Sequence, residues 1–131
     1  MSERPFPIPD RDTAPFWEGT LRGELRVQRC AGCGHHVFYP RSVCPYCMAD
    51  SLEWVIATGR GTVYSFTEVH RTSEEFRAEM PFTVGLVELA EGVRMMTRLD
   101  VEKPVIGMAV QVVFDRVSDK MSLPHFKEAE Q

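Results

Sequence analysis

No stretch of this sequence approaches 18 consecutive apolar residues, the length a membrane-spanning helix needs. Its start, MSERPFPIPDRDTAPFW, lacks the basic stretch followed by an apolar run that marks a secretory leader, which points to a cytoplasmic chain with no membrane role. Lysine is scarce: Lys103, Lys120 and Lys127 are the whole supply, and 15 Lys plus Arg face 19 Asp plus Glu for a formal charge of -4. A protein that works by neutralising phosphates needs the opposite balance. Catalytic signatures are also missing, with no G-x-S-x-G, P-loop, H-E-x-x-H or G-x-G-x-x-G pattern. At 131 residues the chain is too short for a Rossmann domain plus a substrate domain, or for a (β/α)8 barrel. Its 44% hydrophobic and 26% charged residues are those of an ordinary soluble domain.

What the sequence does have is four cysteines in two tight pairs, Cys30-Ala31-Gly32-Cys33 and Cys44-Pro45-Tyr46-Cys47, with ten residues between them. In a reducing compartment such pairs read as metal ligands before disulfides. Four thiolates close a tetrahedral shell around Zn2+, each C-x-x-C presenting two sulfurs from one knuckle. Gly34 frees the backbone where the first knuckle turns back. The intervening residues, with Val37, Phe38 and Tyr39 ahead of Pro40, suffice for a strand out and a return, which makes a rubredoxin-like zinc ribbon. A closed four-sulfur shell leaves no position for water, so the metal is expected to be structural. Iron in a redox site is the alternative that sulfur geometry leaves open, and two disulfides or four unrelated thiols is the other. Arg29, Arg41 and His35 are placed to offset the formal -2 of the shell, with His35 and His36 outside the ligand set.

Around the cysteines the fold reads as mainly β. Residues 1–12 hold Pro5, Pro7 and Pro9 and favour an extended arm. Thr13 as N-cap, Pro15 in the first turn, Trp17 and Leu21 four apart and a terminating Gly23 predict a short helix. Leu25 and Val27 alternate with Arg26 and Gln28 as a strand into Cys30. Strands follow at Leu52 to Ala57, Thr62 to Val69, Phe82 to Leu89, Val93 to Leu99 and Met108 to Phe114. Thr72-Ser73-Glu74-Glu75 has the form of a capping box and predicts a short helix over 73–80. About five strands and one short helix fit an OB-fold, the partly open Greek-key barrel. The expected division is an arm, helix and first strand over 1–29, a zinc ribbon over 30–50, an OB-fold over 51–117 and a polar C-terminal tail over 118–131.

Two further groups of residues bear on function. Phe16 and Trp17 beside a flexible arm suit a partner anchor, and equally suit packing on this chain's own ribbon or barrel. Arg22, Arg26 and Arg29 near the ribbon, Arg71 after His70, and Arg94 with Arg98 on one strand face could hold phosphates through charge-assisted bonds; a solvated face is the commoner use of such residues. His70 has no assignable Ser, Cys or acidic partner for base catalysis. Gly85 inside a strand predicts a bulge or a close approach of two backbones.

Taken together, PFWEGTLRGELRVQRCAGCGHHVFYPRSVCPYC, WVIATGRGTVYSFTEVHR, PFTVGLVELAEGVRMMTRL and IGMAVQVVF resemble the zinc-ribbon plus OB-fold family of acyl-CoA-associated proteins, from Pro15 to about Phe114. Met48 departs from the family pattern, standing after Cys47 where a glycine is common. Members are small subunits that assemble with thiolase-superfamily enzymes, including bridges between a thiolase and a hydroxymethylglutaryl-CoA (HMG-CoA) synthase and partners of steroid side-chain aldolases. The resemblance implies a structural Zn2+ on Cys30, Cys33, Cys44 and Cys47. It also implies a helix docking a thiolase-like partner through Phe16, Trp17 and Leu21, and a barrel that helps enclose acyl-CoA, with His70, Arg71, Arg94 and Arg98 as substrate-binding candidates. The expected protein is a non-catalytic accessory or scaffold subunit in a hetero-oligomer that cleaves or forms carbon-carbon bonds. A nucleic-acid-binding zinc-ribbon/OB module is the alternative, disfavoured because 58–131 carries more Asp and Glu than Lys and Arg. An autonomous enzyme using His70 is the third reading.

Overall fold

A computed structural model describes residues 7–129. The first six residues, including Pro5 of the expected arm, lie outside the described residues; Pro7 and Pro9 are exposed. The elements run α1 (Ala14–Leu21), β1 (Leu25–Cys30), β2 (His36–Val37), β3 (Leu52–Ala57), β4 (Arg60–Val69), a 3-10 turn (Glu74–Glu79), β5 (Phe82–Leu89), β6 (Arg94–Leu99), β7 (Ala109–Ser118) and β8 (Met121–Glu128). Among the described residues no helix is long and apolar enough to cross a membrane.

An eight-residue helix is marginal alone and must dock. The side chain of Arg26 lies across Gly19, where a Cβ would sit 2.7 Å from its Cγ. Its Nη1 donates to the Pro15 carbonyl at 3.2 Å and its Nη2 pairs with Glu24 at 2.8 Å. Arg26 therefore fastens α1 to β1 and is not an open phosphate ligand. Thr13 occupies the N-cap position but makes no side-chain bond to the helix. Instead the Asp10 carboxylate accepts from the amides of Asp12 and Thr13 at 2.9 Å, and the Asp10 carbonyl accepts from the Ala14 amide. These bonds hold the Asp10 carboxyl below its ordinary value, the Thr13 amide being the largest cause.

The strands form two layers. β2, β1 and β3 make a three-stranded antiparallel sheet, and β4-β5-β6-β8-β7 close into a barrel in which only β6 and β8 run parallel. A five-stranded Greek-key barrel of this order is an OB-fold. Two expected boundaries change. Leu52–Ala57 pairs along its whole length with Leu25–Cys30, so it belongs to the ribbon sheet, and the barrel begins at Arg60 rather than 51. The expected tail over 118–131 contains β8, which pairs with β7 from Ser118↔Met121 to Val110↔Glu128 and buries Phe126 completely. Burial of a side chain that size is worth about 1.5–3 kcal/mol, which a solvated tail would forgo.

One core joins the layers. Phe16, Leu25, Val27 and Ala57 pack in a single cluster with Val63, Val87, Met95, Val110 and Phe126 of the barrel. On β6 the expected alternation holds, with Met95, Thr97 and Leu99 buried between Arg94, Met96 and Arg98. Gly85 marks a close approach: a Cβ there would stand 2.5 Å from Leu99. The bulge itself falls on the facing strand, between Val63 and Ser65. The 3-10 turn replaces the expected helix over 73–80; Ser73 makes no capping bond, and the Glu75 side chain on which the box depends lies outside the described residues.

Candidate metal centre and the cleft beside it

The two knuckles repeat one backbone pattern. The amide of Gly34 donates to the Cys30 carbonyl at 2.8 Å and that of Met48 to the Cys44 carbonyl at 2.9 Å; the Cys30 amide reaches His35, and the Cys44 amide Ala49, each at 2.9 Å. Gln28, buried on β1, holds the approach to the second knuckle, its amide group exchanging bonds of 2.8 and 2.7 Å with the backbone of Arg41. This brings the four sulfurs together, all within 4.8 Å of one another. Cys30 to Cys47 is 3.6 Å and Cys33 to Cys44 is 3.7 Å, with every cysteine a free thiol. A tetrahedron with metal-sulfur bonds of about 2.3 Å has edges of about 3.8 Å. The donor set therefore fits a tetrahedral metal ion.

Electrostatics lead to the same conclusion. The Cys33 amide, followed by the Ser51 hydroxyl, pulls the Cys30 thiol down to about 6. At Cys47 the Ala49 amide pulls down, but the sulfur of Cys30, burial and the sulfurs of Cys33 and Cys44 outweigh it and push the thiol up to about 12. At Cys33 the His35 amide is likewise outweighed by burial and by its neighbours Cys44 and Cys30, so that thiol also lies above its ordinary value. Four thiolates this close repel one another, and a cation at their centre relieves the conflict. His35 lies outside the ligand set as expected, with Nδ1 3.3 Å from Cys33 Sγ and its ring stacked on Tyr46 at 4.2 Å.

Between the knuckles the chain runs out to a cleft of about 560 Å3 bounded by α1, the ribbon loop and the barrel. Its origin is Pro124. With no N–H, Pro124 cannot extend the β8 ladder towards β6, and the parallel pairing is confined to Arg98↔His125 and Leu99↔Phe126. Beyond it the strands part. The Thr97 hydroxyl donates to the Pro124 carbonyl at 3.1 Å, and the Met96 amide donates to the Tyr39 hydroxyl at 3.3 Å. Phe16, Trp17, Phe38 and Met95 make apolar walls, and Arg98 and His125 supply a polar corner.

The predicted site residues fall differently from expectation. Phe16 is 5% exposed, its ring edge-on to Trp17 at 4.9 Å and to Phe38 at 5.7 Å, so it packs in this chain's own core. Trp17 and Leu21 are half-buried. The four substrate-binding candidates do not form one site. His70 is exposed and 3.2 Å from Glu68, and Arg71 is exposed. Arg94 lies 3.8 Å over the Tyr64 ring and pairs with Glu88 at 3.3 Å. Arg98 lies 4.1 Å over Phe82 and pairs with Glu79, and of the four it alone lines the cleft. Sequence reasoning missed Gln28, Tyr39 as a bridge to β6, and His125, which stood in the supposed tail.

Comparison with known proteins gives a consistent picture. A family model described as "ChsH2, rubredoxin-like zinc ribbon domain" matches residues 17–53, and one described as "ChsH2, C-terminal OB-fold domain" matches 54–115. The chain is 36% identical over 129 residues to the probable enoyl-CoA hydratase alpha subunit of Thermomonospora curvata; the match takes in 96% of this chain and 40% of that protein, so the chain spans under half its length. It is 30% identical over 76 residues to the benzoylsuccinyl-CoA thiolase subunit BbsA of Thauera aromatica, covering 58% of this chain and 51% of that one. A chain of the solved Ltp2-ChsH2(DUF35) aldolase superposes with a TM-score of 0.84 at 35% identity, over 95% of this chain and all of that one. With both domains matched in order and a solved relative spanned from end to end, the chain belongs to the DUF35 family, in which a rubredoxin-like zinc ribbon precedes an OB-fold.

Proposed function

We propose that this chain is a non-catalytic accessory subunit that seats on a thiolase-superfamily enzyme and helps hold the acyl-CoA on which that enzyme makes or breaks a carbon-carbon bond. The observation that carries the reading is a braced, mainly apolar cleft with no serine or cysteine among its described lining residues. The cysteines are gathered at the metal centre, the Thr97 hydroxyl is turned to a carbonyl, and the cleft walls are mainly aromatic and aliphatic with Arg98 and His125 at one corner. The names of the relatives support the partner: one is a thiolase subunit and another comes from a two-component aldolase.

In this reading the ion is Zn2+, which when bound supplies a rigid cross-link and no reaction step. Cys30, Cys33, Cys44 and Cys47 hold it, and Gln28 and the Arg41 backbone keep the second knuckle in place. The half-buried Trp17 and Leu21, together with the ribbon, face the partner in a cytoplasmic hetero-oligomer. The barrel side of the cleft takes part of the acyl group, of which a steroid side chain is one example, while the reacting groups belong to the partner.

Size-exclusion chromatography with a thiolase-like enzyme encoded beside this chain tests the proposal. The expected result is co-elution, a rise in the partner's activity, and loss of both with Leu21→Asp. Separate elution with unchanged partner activity would overturn it.

A further inference from the structure

β3 is an edge of the ribbon sheet, whose order is β2-β1-β3. The Ala31 amide donates to the Ser51 carbonyl at 2.9 Å, one step beyond the Cys30↔Leu52 pairing. Bonded residues alternate along an antiparallel strand, so Ser51, Glu53, Val55 and Ala57 turn their backbone groups to β1. Leu52, Trp54 and Ile56 turn theirs to the open side, where none of these amides or carbonyls has a partner among the described residues. The next amide in that series, of Thr58, is taken by the Glu91 carboxylate at 3.0 Å, which fixes where the open edge stops. Natural edges are commonly guarded by Lys, Pro or a bulge. Leu52–Ala57 has none of these; its one charge is Glu53, and Ile56 is 63% exposed.

Alternating amides and carbonyls on an extended strand are met by another extended strand, and a second β3 carries the matching set. Antiparallel pairing about a two-fold axis at Trp54 sets Leu52 against Ile56 of the other copy and Trp54 against Trp54, so every open group meets its complement. Charge and occupancy select this register. A shift by two residues one way puts Glu53 opposite Glu53, a destabilising like-charge pair. A shift the other way needs the Thr58 amide that Glu91 already holds. In the register centred on Trp54, Glu53 faces Val55. The side chains of Leu52, Trp54 and Ile56 share one face of the strand, so the same pairing lays an unbroken apolar stripe across the axis.

We infer that two copies of this chain join edge to edge through β3, making one six-stranded ribbon sheet with its two-fold axis at Trp54. The axis uses each β3 edge once, so the assembly closes at two chains. The inference goes beyond the proposed function and requires no partner enzyme.

Analytical ultracentrifugation of the full metal-loaded chain from about 1 μM to about 1 mM, the span of modest affinities, tests it. The mass is expected to rise from the 14.9 kDa of one chain to twice that value. Over the same series the amides of Leu52, Trp54 and Ile56 are expected to exchange about tenfold more slowly at the high end, while that of Val55, bonded to β1, does not change. An isotope-filtered NOE between the α-protons of Glu53 and Val55 on different copies reports the register. Ile56→Lys, at an exposed position, is expected to keep the wild-type amide spectrum of the barrel and to remain a single chain. Ile106→Lys, similarly exposed between β6 and β7, is expected to dimerise like the wild type. A single-chain mass throughout, a dimer that survives Ile56→Lys or is lost in Ile106→Lys, or a dimer without the edge protection or the NOE would overturn the inference. Co-elution with a thiolase-like partner is scored separately, so either idea can fail alone.

Discussion

Met48 holds in the second knuckle the left-handed backbone that Gly34 holds in the first, with φ of 66° against 82°. A side chain pays about 1 kcal/mol or more for that conformation, and glycine does not. The Met48 side chain is 75% exposed, so little packing is lost with it. Met48→Gly is expected to stabilise the metal-loaded protein by about 1 kcal/mol, a rise of roughly 4 °C in Tm by calorimetry. Met48→Val, β-branched in the same conformation, is expected to lower it. A Tm that falls with glycine would show that the knuckle turns in another way.

Phe16 should behave as a core residue. Its truncation to alanine is expected to cost about 3–5 kcal/mol in urea unfolding, the usual toll for a buried phenylalanine. Leu21→Asp, on the half-buried side of the same helix, should cost far less. Equal losses would mean that α1 docks through a different face.

Removal of the ion is expected to undo the ribbon before the barrel. Treatment with a strong chelator under reducing conditions should raise the thiols accessible to Ellman's reagent from none to all four cysteines, because ligand thiolates are held by the metal. Amide exchange should speed up in β1 to β3 while Val87 and Phe126 in the barrel stay protected. Global unfolding on chelation would show that the shared core at Phe16 depends on the metal throughout.

Acid should loosen the entry to α1. The Asp10 carboxyl is held below its ordinary value chiefly by the Thr13 amide, so its contribution is complete above the unfolded value near 4 and is lost as pH falls through the lower folded one. Carbon-detected titration is expected to place the Asp10 midpoint below that of a free aspartate, with Thr13 amide exchange rising as it protonates. A midpoint at the ordinary value would remove Asp10 as the helix anchor.

The four-cysteine cluster was legible because C-x-x-C spacing encodes a knuckle locally, whatever the rest of the chain does. The β6 face was legible for a similar reason, since Met95, Thr97 and Leu99 repeat with the pleat. β8 was hidden because its buried residues, Met121, Ser122 and Phe126, keep no period of two and Pro124 reads as a strand breaker. β3 was found as a strand but assigned to the wrong sheet, because an apolar run such as LEWVIA does not name its partner. Phe16 could not be apportioned between core and partner by composition, since both uses ask for a large aromatic. The His125-Asp100 pair spans 25 positions and arises only when β6 and β8 lie side by side.

The loop between the knuckles does two jobs with ten residues. It is flanked by Cys33 and Cys44 of the sulfur cluster, and its middle, Phe38 to Pro40, is a wall of the cleft tied to β6 through Tyr39. Metal occupancy and cleft occupancy are then linked quantities. By thermodynamic reciprocity, whatever tightens one tightens the other by the same factor, so a molecule filling the cleft would raise the affinity for the ion, and a shortage of the ion would weaken the hold on that molecule.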